Sequence, residues 1–189
     1  MPKAPSTKKK GLDTSIQSLG IPKIPSPLPY CRFVGHEEQM ELNLTEEEAD
    51  VPGAFSVPLS FEKAGPRGKM YFDSSKVKCA IVTCGGLCPG INDVIRAIVM
   101  EAHHHYRAAS VIGIKYGLQG FIPRYGHDLV ELTPDAVSDI HEFGGTILGS
   151  SRGPQPPDEV VDALERMNVS VLFMIGGDGT MKAAASVVK

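Results

Sequence analysis

No run of apolar residues in this chain approaches the roughly 18 needed to cross a bilayer as a helix, so no membrane-spanning helix is expected. An excess of basic charge is missing too. The 22 acidic side chains outnumber the 19 lysines and arginines, for a net charge of −3, whereas a general nucleic-acid binder should be basic. Cysteine is scarce: four in 189 residues do not suggest a disulfide scaffold and suit a reducing compartment. The sequence contains no internal repeat. Acids are absent before Asp13, as in some transit peptides, but that stretch lacks arginine and an amphipathic period. The cytoplasm is the expected location, with an organelle as the alternative.

What is present falls into two textures. "MPKAPSTKKK" is basic, "IPKIPSPLPY" carries four prolines and "EEQMELNLTEEEAD" is acidic. No helical or strand period persists through them, so residues 1–75 read as an irregular arm, extended or disordered. From "CAIVTC" onward the pattern is that of a folded domain spanning 76–189. That motif and "SVLFMI" are continuous apolar runs of buried-strand length, and "SVIGIKYG" is a third strand. "DLVEL" reads as a short extended segment and "TILGS" as a short strand or loop. Ile91, Val94, Ile95, Ile98, Val99 and Ala102 recur at helical spacing and predict a helix with one apolar face. "PPDEVVDALERMN" predicts another, with Val160, Val161, Leu164 and Met167 apolar. "TPDAVSDIHEFGG" predicts a third, capped by Thr133, opened by Pro134 and stopped at Gly144. Strands alternating with helices indicate an α/β fold: a mostly parallel sheet with helices on both faces.

Ligands of such sheets bind where strands give way to loops. Three glycine-rich segments occupy such positions: "CGGLCPGIND", "GGTILGSSRG" and "GGDGT". Without side chains, glycine backbone can approach an anion closely, and a following helix N-terminus adds a favourable dipole. Arg152 can add a charged planar fork. Asp178 would repel a phosphate, so an acid among phosphate-binding glycines suggests Mg²⁺. The chemistry points to a magnesium-bound polyphosphate.

These segments resemble the phosphofructokinases. "TCGGLCPGINDVIR", "GIKYGLQGF", "GGTILGSSRG" and "GGDGT" stand in that family's order and near its spacing, across about residues 77–189. The wording is most similar to the branch holding plant and trypanosomatid ATP-dependent enzymes and the pyrophosphate-dependent ones. The resemblance implies the N-terminal, nucleotide-binding domain of an enzyme that transfers a phosphoryl group from ATP to the 1-hydroxyl of fructose 6-phosphate, a glycolytic step, with Mg²⁺ and as a homo-oligomer when full length. By motif position it sets Gly85 against the nucleotide phosphates and Tyr116 near the adenine. Arg152, with Gly153, would contact nucleotide and transferring group. Gly177, Asp178, Gly179 and Thr180 would form the phosphate turn, with Asp178 on the metal. Gly179 favours ATP, because pyrophosphate-dependent relatives usually carry an aspartate there. The family's general base belongs to a Thr-Ile-Asp-Asn-Asp segment that these 189 residues do not contain. The chain therefore reads as the donor-binding part of a longer kinase, inactive by itself.

Other readings remain. Pyrophosphate could be the donor, or a short form could bind nucleotide or pair with other subunits without catalysis. NAD and diacylglycerol kinases share the "GGDGT" turn but lack the two upstream loops. His103 to His105 point about 100° apart on a helix and read as a solvated helix end, not a metal site. Cys84 and Cys88 read as packing or loop residues, with a redox role as the alternative. Asp93, after Asn92, reads as a helix cap, and Glu165 with Arg166 as a solvated face.

Overall fold

A computed structural model of the chain describes residues 14–29, 31–42 and 59–189. It separates into two compact units, Met1–Tyr71 and Phe72–Lys189.

The described part of the first unit is extended but paired, which the sequence reading of an irregular arm did not anticipate. Strand β1 (Ile24–Pro25) pairs antiparallel with β4 (Lys69–Met70), and β2 (Gln39–Leu42) with β3 (Leu59–Glu62). Arg67 joins the segments that flank β2 and β3. Its guanidinium donates to the carbonyls of Val34 (3.1 Å), Gly35 (2.8 Å) and Lys63 (2.7 Å). Such pairs are too short to show a period-2 pattern, and the strand β2 side chains are exposed on both faces. The basic opening and the end of the acidic run lie outside the described residues.

The second unit is the expected α/β fold. Its sheet has the order β7-β6-β5-β8, from β5 (Lys78–Thr83), β6 (Ser110–Ile114), β7 (Leu129–Glu131) and β8 (Val171–Ile175). Central β5 runs parallel to both neighbours, with Cys79 opposite Val111 on one side and Val171 on the other. Strand β7 is antiparallel to β6. Helices α1 (Ile91–His104), α2 (Pro157–Arg166) and α3 (Asp178–Val188) complete the layers. Alternate residues of β5 face opposite ways. Cys79 and Ile81 pack with Ile95, Val99 and Ala102 of α1. Ala80 and Val82 pack with Val160 and Ala163 of α2, against which Ala183 and Val187 of α3 lie. Burial on both faces is why β5 is a near-continuous apolar run.

Two sequence expectations need correction, Val94 and the helix after Thr133, and the α2 reading is refined. Val94 is 44% exposed. The buried face of α1 runs Asn92, Ile95, Val99, Ala102, and Val94 is turned about 100° from Ile95. On α2 the fully buried pair is Val160 and Ala163, while Val161, Leu164 and Met167 are only half-buried. Residues 133–144 do not form an α-helix. Thr133 Oγ1 accepts the Ala136 N–H at 3.1 Å as a cap would, but the chain then tightens into i→i+3 turns. Ser138 N–H and hydroxyl both go to Asp135 C=O (3.2 and 2.9 Å), and only a 3₁₀ turn at Ile140–Glu142 follows. Arg96 of α1 takes the Ser138 carbonyl at 3.1 Å, the acceptor that an α-helix would need four residues later.

Candidate nucleotide-phosphate site

The carboxyl ends of β5 and β8 lie side by side. Cys84 N–H donates to Ile175 C=O at 2.9 Å, extending the ladder one step past the strands. From these ends the two glycine turns leave together. They open on a cavity of about 670 Å³. One end is walled by Gly85, Gly86, Arg152, Gly153, Gly177, Gly179 and Thr180. The wall continues along α2 and α3 through Pro157, Val160, Lys182, Ala183, Ser186 and Val187. A Cβ built on Gly85, Gly86, Gly153, Gly177 or Gly179 would meet nothing within 4 Å. Their missing side chains leave open cavity. Gly85 also holds φ at +83°, a conformation that disfavours a side chain.

Six of the eight residues predicted from sequence thus meet in one cavity: Gly85, Arg152, Gly153, Gly177, Gly179 and Thr180. Asp178, exposed, is the first residue of α3 and stands between two lining glycines. Gly177 caps α3 without any side-chain bond, so the first amides of the helix are left for another acceptor. Tyr116 does not line the cavity. It adopts φ +57°, lies against Gly149 and has the His127 ring at 4.5 Å.

Several residues were not singled out from the sequence. Lys182, one turn into α3, is a second cation on the cavity wall. Asn92 is buried and splints the loop that leads to Arg152. Its Nδ2 donates to Phe143 C=O (2.8 Å), and its Oδ1 accepts Ile147 N–H (2.8 Å). Thr83, buried at the end of β5, donates to Gly149 C=O at 2.6 Å. A polar residue in step with Ile95 and Val99 was the one legible signal for Asn92. Asp93, in contrast, is exposed in the first turn, and the N-cap of α1 is Gly90. Asn92→Leu should keep the shape and strand two backbone groups, at about 1–3 kcal/mol for each unsatisfied partner. Urea unfolding with an unchanged slope should show a loss of about 2 kcal/mol or more. A loss under about 0.5 kcal/mol would mean that the loop holds without it.

Burial pushes the Cys84 thiol up, with a bond to the Leu118 backbone pulling the other way, so it stays protonated near neutrality. All four cysteines are free of disulfides. Among the described residues no three His, Cys, Asp or Glu side chains gather as a metal site. His105 instead pairs with Glu101 at 2.7 Å along α1.

Comparisons with known proteins identify the family. The family model for phosphofructokinase matches residues 78–189. An ATP-dependent 6-phosphofructokinase of Borreliella burgdorferi is 45% identical over 184 residues, covering 94% of this chain and 41% of that one. One from Amycolatopsis methanolica is 56% identical over 125 residues, covering 66% and 27%. One from Trypanosoma cruzi is 45% identical over 141 residues, covering 75% and 29%. Among solved structures, Pichia pastoris phosphofructokinase in the T-state matches with a TM-score of 0.52 and 28% identity over 68% of this chain and 14% of its own. The chain thus spans well under half the length of these relatives. With the family model matching more than half of its residues, on the same segments that build the cavity, this chain belongs to the phosphofructokinase family.

Proposed function

We propose that this chain carries the donor-binding part of an ATP-dependent 6-phosphofructokinase, which passes the γ-phosphoryl group of ATP to the 1-hydroxyl of fructose 6-phosphate and assembles as a homo-oligomer. The observation that carries the reading is the two-ended cavity. Glycine backbone, a helix N-terminus and Arg152 suit a phosphate chain. The cleft of Pro157, Val160, Ala183 and Val187 suits a flat apolar base. Pyrophosphate would use only the first end, so the apolar cleft favours ATP over the pyrophosphate alternative.

Phosphoryl transfer depends on positioning and charge neutralisation more than on covalent help from the protein. Arg152 provides a guanidinium cation with a planar fork for phosphate oxygens. The first-turn amides of α3 contribute fixed partial charges without reorganisation. Magnesium fits this donor set. A lone carboxylate amid phosphate-binding backbone makes a poor metal site by itself, but Mg²⁺ is commonly held by one or two carboxylates together with substrate phosphates. Asp178 would hold it, and the ion would supply charge neutralisation on the phosphates. Tyr116 would reach the nucleotide only through the loop at Gly149, and its role beside the adenine rests on motif position.

The test is binding of ATP, ADP, pyrophosphate and adenosine by calorimetry, with and without Mg²⁺. ATP should bind in the range typical of such substrates, about 1 μM to 1 mM, and at least about tenfold tighter than pyrophosphate. Equal or tighter binding of pyrophosphate would shift the reading to the pyrophosphate-dependent enzyme. Asp178→Asn keeps the size and loses the charge. It should weaken ATP binding about tenfold in saturating Mg²⁺, the scale of one lost charge-assisted contact, with little change when Mg²⁺ is removed. An unchanged response to Mg²⁺ would take Asp178 off the metal.

A further inference from the structure

We infer that Ser150 is a positioning residue for the phosphate site. Its hydroxyl fixes the Gly85–Gly86 peptide plane so that the Gly86 N–H is presented to the bound phosphate chain, and it thereby joins two glycine loops into one cradle. The inference rests on the nucleotide reading of the cavity and adds to it a residue of the "GGTILGSSRG" segment that was given no role above.

The hydroxyl of Ser150 donates to Gly85 C=O at 2.6 Å. Ser150 is itself held firmly. The preceding carbonyl, Gly149 C=O, accepts from Thr83 Oγ1 at 2.6 Å. Since Thr83 spends its proton there, the Thr146 hydroxyl 3.0 Å away must donate to Thr83 Oγ1. Thr146 in turn accepts Leu148 N–H at 3.1 Å. The result is a one-way chain, from Leu148 N–H through two hydroxyls to Gly149 C=O, in which each donor is used once. Its anchor, Thr83, is 1% exposed at the end of the central strand. Asn92 pins the start of the same loop from α1.

Gly85 and Gly86 have no such internal support. Neither has a Cβ, and neither would find a neighbour within 4 Å if it had one. A Gly-Gly peptide has little steric reason to keep one orientation over the other. The bond from Ser150 chooses one. In a planar trans peptide the N–H points opposite to the C=O. With Gly85 C=O turned to Ser150, Gly86 N–H faces away from that loop, and Gly86 is part of the cavity wall. The same logic applies one step along: Thr83 on Gly149 C=O fixes the direction of the Ser150 N–H. Both locks lie beside Arg152, two residues further on, so the guanidinium is carried on a backbone already tied to the sheet.

Ser150→Ala and Ser150→Thr in the 189-residue chain test this. The probes are ATP with Mg²⁺, and adenosine as a ligand with the base but no phosphate. Ser150→Ala should bind ATP about tenfold or more weakly, the scale of one hydrogen bond to a charged group. Its adenosine affinity and unfolding midpoint should stay near the parent's. Ser150→Thr, which keeps the hydroxyl, should recover most of the ATP affinity. In the ¹⁵N-labelled parent chain, the Gly86 amide resonance should move on adding ATP and stay in place on adding adenosine. Equal ATP affinity in Ser150→Ala and parent would overturn the inference, as would an equal loss for ATP and adenosine. An unmoved Gly86 resonance in the parent would overturn it without any substitution. A parent chain that binds no ATP would instead defeat the nucleotide reading, and this inference with it.

Discussion

Gly179→Asp is expected to cost at least about a hundredfold in ATP affinity while leaving the unfolding midpoint within about 2 °C of the parent. The two halves of this result come from different facts. A Cβ on Gly179 meets nothing within 4 Å, so the larger residue has room, and its φ does not lie in the left-handed region. The space it takes is cavity. Two unit charges about 4 Å apart at an effective dielectric near 20 repel by about 4 kcal/mol. Magnesium and solvent screening cut that figure, and about 2.7 kcal/mol corresponds to the hundredfold expected. Pyrophosphate has no α-phosphate linked to a nucleoside, so its affinity should fall by a smaller factor. Calorimetry with both ligands and a thermal melt of the same sample settle the matter. ATP affinity within about threefold of the parent would show that Gly179 does not shape the donor site.

The central strands, α1, α2 and the phosphate turn were readable because each rests on local signals. Strand β5 is apolar on both faces, and α1 keeps its apolar spacing over 14 residues. The glycines of the site were readable for the reverse reason. They stand in clusters directly after strands or before helices, and five of them have no neighbour within 4 Å that a Cβ would disturb. The failures were non-local. The segment after Thr133 has a helix cap and helix-compatible composition, yet Arg96 from another element captures its Ser138 carbonyl. Asn92 was passed over, and Asp93 read as the cap, because the partners of Asn92, Phe143 and Ile147, lie more than 50 residues away in sequence. Thr83 and Ser150 gave no sign at all. A hydroxyl in a strand end or a loop is compositionally ordinary, and only the fold shows which carbonyl it holds. Backbone pairs between β1 and β4 escaped notice because two residues cannot display a period.

Gly176→Ala should behave in the opposite way to Gly179→Asp, although the two sites are three residues apart in one turn. Here the fold has no space. A Cβ on Gly176 would stand 2.7 Å from Cys84 C=O and 2.8 Å from Thr180 Cβ, and would clash with Thr180 Oγ1 as well. Neither side yields easily. Cys84 is tied to Ile175 by the 2.9 Å backbone bond that joins the ends of β5 and β8. Thr180 is buried, and its N–H is already turned to Gly177 C=O at 2.9 Å. Overpacking of this kind costs about 1–3 kcal/mol, occasionally more. At about 2–4 °C per kcal/mol for a chain of this size, the melting midpoint should fall by roughly 3–10 °C. The double variant Gly176→Ala, Thr180→Ala isolates the share of the Thr180 hydroxyl and methyl. Removing the Thr180 hydroxyl and methyl relieves the clash with Oγ1 but leaves the Cβ of residue 180 and the Cys84 carbonyl where they were, so the pair should recover only part of the loss. Thermal melts of both single variants, the double and the parent close the cycle. Full recovery in the double would mean that the Thr180 hydroxyl and methyl alone exclude a Cβ from Gly176. Partial recovery would mean that the contacts the double variant keeps, with the Cys84 carbonyl and the Cβ of residue 180, are what require glycine before the phosphate turn.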